Sequence, residues 1–135
     1  MKNTGKVLEA WEAAQGLSRS VNQAAAGASF DGKPKLRKRL ERTAACIVTN
    51  VAEGFQSYTT VPIRQYLVRA ERYVGKLREH LFEALSDGCL SEEQFQGLQE
   101  QCANCKEQVT GYLEELWSGN PTGRAVRPTQ EGLRR

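Results

Sequence analysis

Cys102 and Cys105 form a C-x-x-C pair, a spacing that occurs in zinc sites and in redox-active dithiols. A zinc site requires about four ligands, and no second paired motif is present. Redox pairs normally lie at the start of a helix, whereas these two lie in the middle of an apolar helical stripe. We therefore interpret both as small core residues and expect no metal and no cofactor. Cys46 and Cys89 are interpreted as buried or incidental.

Asn50 and Glu53 are polar residues spaced i, i+3 within an apolar run. A carboxylate near a core is a candidate catalytic group, but the one histidine, His80, belongs to another predicted helix. We interpret the two as a hydrogen-bonded pair that fixes helix register, with Arg42 or Tyr66 as a candidate partner. No phosphate-binding loop, dinucleotide loop or nucleophile elbow occurs, so we predict that the protein is not an enzyme and has no small-molecule substrate.

Basic residues cluster on two predicted helices and recur in the C-terminal segment. Spacings of three and four place one group on a single face of the second helix and another along a ridge of the third. Rows of cations of this kind bind the phosphate backbone of nucleic acid. The alternative is a solvated or partner-facing surface. The predicted nucleic-acid-binding residues are Lys35, Lys38, Arg39, Arg42, Arg69, Arg72, Lys76, Arg124 and Arg127.

The net charge of +3 conceals a strong polarity along the chain. Residues 33–78 carry eleven basic and three acidic side chains, a net of +8. Residues 79–117 carry one basic and nine acidic side chains, a net of −8. The acidic face of one protomer could therefore pair with the basic face of the next, and head-to-tail contacts of this kind close into rings.

Apolar residues recur at spacings of three and four through most of the chain, the pattern of amphipathic helices. They predict helices over about 4–26, 34–57, 60–86 and 91–117, which leaves short connections and no strand. This pattern is typical of an all-α, antiparallel up-down-up-down four-helix bundle. The predicted stripe of the second helix is Leu36, Leu40, Ala44, Ile47, Val51 and Phe55.

Helix boundaries are marked by residues that stop or cap helices. Pro34 suits the first turn of the second helix, and Thr60 is the predicted N-cap of the third. Gly88 suits the left-handed position that follows a helix end. Ser91 and Gln94 then have the spacing of a capping box, in which each side chain bonds the other's backbone N–H.

Residues 118–135 show no periodicity and are rich in Gly, Pro and Arg, so we predict a bundle domain over 1–117 and a flexible basic tail. No stretch approaches the roughly 20 apolar residues that span a bilayer, and the first residues contain no apolar export segment. We therefore expect no membrane association, a cytoplasmic location and reduced cysteines.

Two segments, VLEAW and LRKRLERTAACIVTNVAEGF, resemble the bacterial four helix bundle protein family, whose founding members are encoded in intervening sequences of 23S ribosomal RNA genes. The resemblance spans about residues 7–116, and NVAEGF is its most specific part. Cys46 and Val48 depart from the family's usual Ser and Pro, and the Arg-rich extension has no counterpart. The matching positions are Leu8, Glu9, Trp11, Arg42, Ala44 or Ala45, Ile47, Asn50, Val51, Ala52, Glu53 and Gly54.

The family is similar in fold to the accessory protein of diversity-generating retroelements, which forms a pentameric barrel, binds nucleic acid and engages a reverse transcriptase. The resemblance thus implies a homopentameric ring and supplies no catalytic residue. Two hypotheses follow from it and from the charge pattern. In the first, the protein is a non-catalytic oligomeric scaffold that binds RNA or DNA, possible partners including a reverse transcriptase. In the second, it is a protein–protein assembly module with no nucleic-acid role.

Overall fold

The computed structural model describes residues 4–56 and 60–117. Four α-helices are present: α1 (Thr4–Ala25), α2 (Pro34–Gln56), α3 (Thr60–Ser86) and α4 (Glu92–Trp117). A short 3-10 helix, Ala28–Phe30, lies between α1 and α2. The predicted bounds are correct to within about a residue, and the described ranges contain no strand. Thr60, the predicted N-cap, is instead the first residue of α3. The predicted tail, residues 118–135, lies outside the described residues.

The helices pack as a square in which each helix contacts two neighbours. α1 lies against α2 and α4, and α3 lies against the same two helices. Arg39 of α2 reaches Glu83 near the end of α3, and Arg37 near the start of α2 reaches Ala25 at the end of α1. Consecutive helices therefore run antiparallel, in the up-down-up-down order that the sequence predicts.

The buried apolar side chains of α2 follow its predicted stripe except at the end of the helix. Phe55 is 52% exposed, although the sequence reading places it on the stripe. An α-helix has 3.6 residues per turn, so a stripe must mix steps of three and four. After the four-residue step from Ile47 to Val51, a step of three leads to Gly54, which is the buried position. Phe55 is rotated towards α1 and away from the core.

The connection between α3 and α4 is fixed by local backbone chemistry. Gly88 has φ +80°, the left-handed conformation that the sequence predicts. The N–H of Cys89 donates to the carbonyl of Ala84 at 2.8 Å, and the N–H of Gly88 donates to that of Leu85 at 3.0 Å, which together form a Schellman motif. The predicted capping box follows, because Ser91 Oγ accepts from the N–H of Gln94 at 3.0 Å and Gln94 Oε1 accepts from that of Ser91 at 2.9 Å.

The connection between α1 and α2 is held by Arg37. Its Nε donates to the carbonyl of Ala25 at 2.7 Å, and its Nη2 donates to Gly27 at 3.1 Å and to the Asp31 carboxylate at 2.9 Å. A guanidinium at the C-terminus of a helix satisfies carbonyls that have no partner inside that helix. The buried ring of Phe30 closes the same end of the core.

We expect Gly54→Ala to stabilise the bundle although Gly54 lies in the NVAEGF motif. A Cβ at this position would lie 3.6 Å from Leu67 Cδ2 and from Tyr66 Cβ, an ordinary van der Waals distance. The gain should therefore approach the helix-propensity difference of about 1 kcal/mol. Gly75→Ala, whose Cβ would meet open space, is the matched control. Urea denaturation measures both, and a lower free energy of unfolding for Gly54→Ala would contradict the prediction.

Candidate nucleic-acid interface

Six of the predicted cations lie on the outward side of α2 and α3. Because Lys33 pairs with Asp87 and Arg39 with Glu83, the α2 cations lie at the end of the bundle that holds the α3–α4 connection. The α3 cations lie further along, towards the opposite end. The two groups form one elongated surface, roughly 25 Å long at 1.5 Å per residue. We call these residues, all exposed, the basic surface: Lys35, Lys38, Arg42, Arg69, Arg72 and Lys76.

Arg39 differs from the other predicted cations because it is already paired. Its Nη1 and Nη2 donate to the two carboxylate oxygens of Glu83 at 2.9 and 3.1 Å, and both side chains are 43% exposed. Bonds from Arg39 lower the pKa of Glu83, and those bonds raise the pKa of Arg39. A bidentate pair of this kind ties α2 to α3 and neutralises part of the charge that Arg39 could offer to a phosphate.

Arg69 is positioned by an aromatic ring. Its guanidinium carbon lies 5.3 Å from the centroid of Tyr66, within the range of a cation–π contact. Tyr66 is half-buried and Arg69 is exposed. The ring therefore orients the guanidinium while its charge stays open to solvent.

The opposite side of the bundle has the opposite charge. Within their bounds, α2 and α3 together carry ten basic and five acidic side chains, a net of +5. Together, α1 and α4 carry three basic and eight acidic side chains, a net of −5. Because α2 neighbours α3 and α1 neighbours α4, the polarity of the sequence becomes a polarity across the fold.

Asn50, which the sequence predicts to pair with Glu53 and fix the helix register, makes a hydrogen bond along its own helix. The Asn50 side chain donates to the carbonyl of Cys46 at 2.8 Å, a bond within α2 that cannot fix one helix against another. Glu53 is exposed, outside the core. An amide on the flank of a helix reaches its own i−4 carbonyl more easily than a group on another helix.

Besides the Arg39–Glu83 pair, two interhelical polar bonds join residues that sequence reasoning did not single out. Thr110 Oγ1 of α4 donates to Glu71 Oε2 of α3 at 2.6 Å. Arg78 Nε of α3 donates to Gln99 Oε1 of α4 at 2.8 Å. All four side chains are half-buried beside the apolar stripes, a position that the helical period could have identified.

The C-x-x-C cysteines lie in the core, as predicted. Cys102 and Cys105 are fully buried, and burial raises the pKa of each thiol to about 12. Cys89 is also buried, whereas Cys46 is half-exposed. Among the described residues, no three His, Cys, Asp or Glu side chains are grouped so that they could hold a metal ion.

The single histidine lies beside the Arg39–Glu83 pair. Burial, followed by the positive charge of Arg39, lowers the pKa of His80. A lowered pKa keeps the imidazole neutral at pH 7, so His80 adds no charge to the basic surface.

None of the described helices is long and apolar enough to cross a membrane.

The profile of the 23S rRNA-intervening sequence protein family matches residues 6–111. No curated protein matches the chain. A solved structure from Bacteroides thetaiotaomicron VPI-5482, described as a protein with unknown function from the S23 ribosomal protein family, superposes with a TM-score of 0.70 at 14% identity. The match covers 81% of this chain and 98% of that one, and at such low identity it shows the shared fold alone.

We expect the cysteines to react with Ellman's reagent in two phases at pH 8. Half-exposed Cys46 should react quickly. Raising a thiol pKa from 9 to about 12 lowers its thiolate fraction roughly a thousandfold, so Cys102 and Cys105 should react only after unfolding in urea. The Cys46→Ser variant should lose the fast phase. Native Cys102 or Cys105 reacting as fast as Cys46 would contradict their assignment to a closed core.

Proposed function

The chain belongs to the 23S rRNA-intervening sequence protein family, and from that premise we propose that it is a non-catalytic scaffold that binds nucleic acid through the basic surface. The observation that carries the proposal is the segregation of charge across the bundle, with net +5 on α2 and α3 and net −5 on α1 and α4. A bundle that only needed solubility could intersperse its charges on every face. Here six exposed cations share one side.

The geometry of the basic surface suits a phosphate backbone. Its cations follow two rigid helices over roughly 25 Å, a length that several phosphates of one strand would span. Lys and Arg contacts to phosphates supply affinity without sequence readout. We therefore propose binding that depends strongly on salt and weakly on sequence. In this proposal Arg124 and Arg127 add to the same charge.

We further propose that the protein assembles into a homopentameric ring, as its resemblance to the retroelement accessory protein implies. The charge of the fold supports self-association, because the α1–α4 side of one copy complements the α2–α3 side of the next. Such a heterologous contact closes into a ring when its rotation allows. It would cover part of the basic surface and leave the remainder for nucleic acid.

A role as accessory to a reverse transcriptase is the most specific form of this proposal. It depends on the resemblance to the retroelement accessory protein. The neighbouring genes test it directly. A reverse transcriptase gene next to a template repeat supports the retroelement role, whereas a position inside a 23S ribosomal RNA gene contradicts it.

RNA binding can be tested with two matched triple variants. Lys35→Ala, Lys38→Ala and Arg42→Ala remove three charges from the basic surface, and Lys6→Ala, Arg19→Ala and Lys106→Ala remove three from the other side. We expect the first set to weaken binding and to reduce the slope of log K against log salt by roughly 2 to 3, or about 0.7–0.9 per phosphate contact. The second set should leave both unchanged. Fluorescence anisotropy at several salt concentrations measures this.

Equal effects of the two sets would show that net charge alone attracts RNA. Absence of binding by the wild-type protein at low salt would exclude the nucleic-acid role. Light scattering on every variant shows whether a loss of binding follows from a loss of assembly.

The second candidate function is an assembly module with no nucleic-acid role, which the same charge segregation favours. In that case the basic surface is an interface between copies. Reversing charge with Lys38→Glu, Arg39→Glu and Arg42→Glu should then reduce the mass measured by light scattering. Arg19→Asp, on the other side of the bundle, is the control. An unchanged mass with lost RNA binding would exclude this function and support the scaffold.

A further inference from the structure

A shallow groove runs along the outside of the bundle between α1 and α2. It has a volume of about 300 Å³. The α2 side chains that line the groove are small or short. An open channel therefore remains on the outer side of the contact between α1 and α2. We define the α1–α2 groove by the residues that line it, Gln15, Ser18, Arg19, Ala45, Val48 and Thr49.

The groove leads to an exposed apolar end. Because Ser18 lies across from Ala45 and the helices are antiparallel, moving three turns back along α1 and three turns forward along α2 brings Leu8 opposite Phe55. Leu8 is 39% exposed and Phe55 is 52% exposed. Half-buried Trp11 and Ala52 lie between this pair and the groove. Together the four side chains make an apolar strip about one turn long at the end of the groove.

Apolar side chains that are exposed next to one another, with polar residues around them, can be covered by another chain segment. Phe82, the other large exposed hydrophobic among the described residues, differs because its ring packs against Phe95 with centroids 4.9 Å apart. It lies on the α3–α4 side, away from the groove. Phe82 therefore serves as a control for exposed aromatic surface in general.

The segment that follows α4 begins close to this apolar end. α4 ends at Trp117, and the Lys6 side chain of α1 lies against Gly111 in the last turns of α4. The end of α4 is thus beside the start of α1, where Leu8 lies. Eighteen residues follow Trp117, and at about 3.3 Å per residue they can span up to roughly 60 Å. That reach exceeds the width of α1 and the length of the strip together.

The composition of residues 118–135 complements the strip. The segment contains two large aliphatic residues, Val126 and Leu133, and four arginines against one glutamate. Exposed Glu9 and Glu12 of α1 lie in the same turns as Leu8 and Trp11. An arginine-rich segment with aliphatic anchors can place its anchors on the strip and its guanidinium groups near these carboxylates.

We propose that residues 118–135 bind the α1–α2 groove of their own chain, with Val126 and Leu133 covering the apolar strip between Leu8 and Phe55. This inference does not depend on nucleic-acid binding. Docking there places the C-terminal arginines along one edge of α2, next to the basic surface rather than over it.

Trypsin cleavage of the full chain tests the proposal. The bond between Arg124 and Ala125 is a trypsin site, whereas Arg127 is followed by Pro128, which blocks cleavage. We expect docking to slow cleavage at Arg124 about tenfold relative to Phe55→Ser, since a docked segment must open before it is cut. Leu133→Ser, which lies outside the bundle and the cleavage site, should accelerate cleavage similarly. Phe82→Ser should leave the wild-type rate. Mass spectrometry identifies the cut.

Circular dichroism checks that Phe55→Ser keeps its helices, and Leu133→Ser repeats the test without altering the bundle. Wild-type cleavage rates in both variants would overturn the proposal. Equal acceleration by Phe82→Ser would also overturn it, because the effect would then not belong to the groove.

A second experiment separates docking on the same chain from docking on another copy. Isotope-labelled wild-type chains are refolded from urea with an excess of unlabelled Phe55→Ser chains. The labelled segment should remain protected from trypsin, because its own groove is intact. Cleavage of the labelled chains at the variant rate would show that the segment binds a neighbour's groove, and it would overturn docking on the same chain.

Discussion

Burial of one apolar stripe on each helix, against two neighbours at once, is the constraint on which the rest of this structure depends. Many of the innermost positions are alanines, among them Ala10, Ala14, Ala44, Ala70 and Ala84, all essentially inaccessible to solvent. Small side chains let helices approach closely, so the position of each helix depends on how the larger residues interdigitate. Because the stripes use only one side of each helix, the outer sides are free to carry charge without cost to the core.

The same constraint explains how much the sequence could predict. The apolar stripes predict that the helices exist. The residues at their ends predict where the helices stop and start, since Gly88 and Ser91 act on backbone groups only a few residues away. The prediction for Phe55 is wrong because it continues the stripe by a step of four where the helical period requires a step of three. For Asn50 and Arg39 the sequence does not reveal the hydrogen-bond partner, for a different reason. Their partners, Cys46 on the same helix and Glu83 on the next, are set by side-chain reach, which spacing alone does not reveal.

Charge segregation follows from the order of the helices. A sequence that is basic in its middle and acidic afterwards could fold with these segments mixed, if the helices alternated around the square. In the up-down-up-down order, α2 is beside α3 and α1 closes against α4, so like charges collect on one side. The Arg39–Glu83 and Lys33–Asp87 pairs lie near one end of the bundle and neutralise part of the basic charge there. The exposed cations further along α3 keep their charge.

The side chains of the NVAEGF segment lie in three different environments. Val51 and Gly54 face the core, where a small residue admits Tyr66 and Leu67 of α3. Glu53 faces solvent, on the same outer side as the basic surface. Ala52 and Phe55 face α1. The small side chain of Ala52 leaves the apolar strip shallow, and Phe55 lies at the end of the strip. The fold requires the first of these roles but not the last, since a polar residue at position 55 would leave the core intact. Exposed Phe55, close to exposed Leu8 of α1, adds nothing to the core, and the proposed docking of residues 118–135 gives it a role.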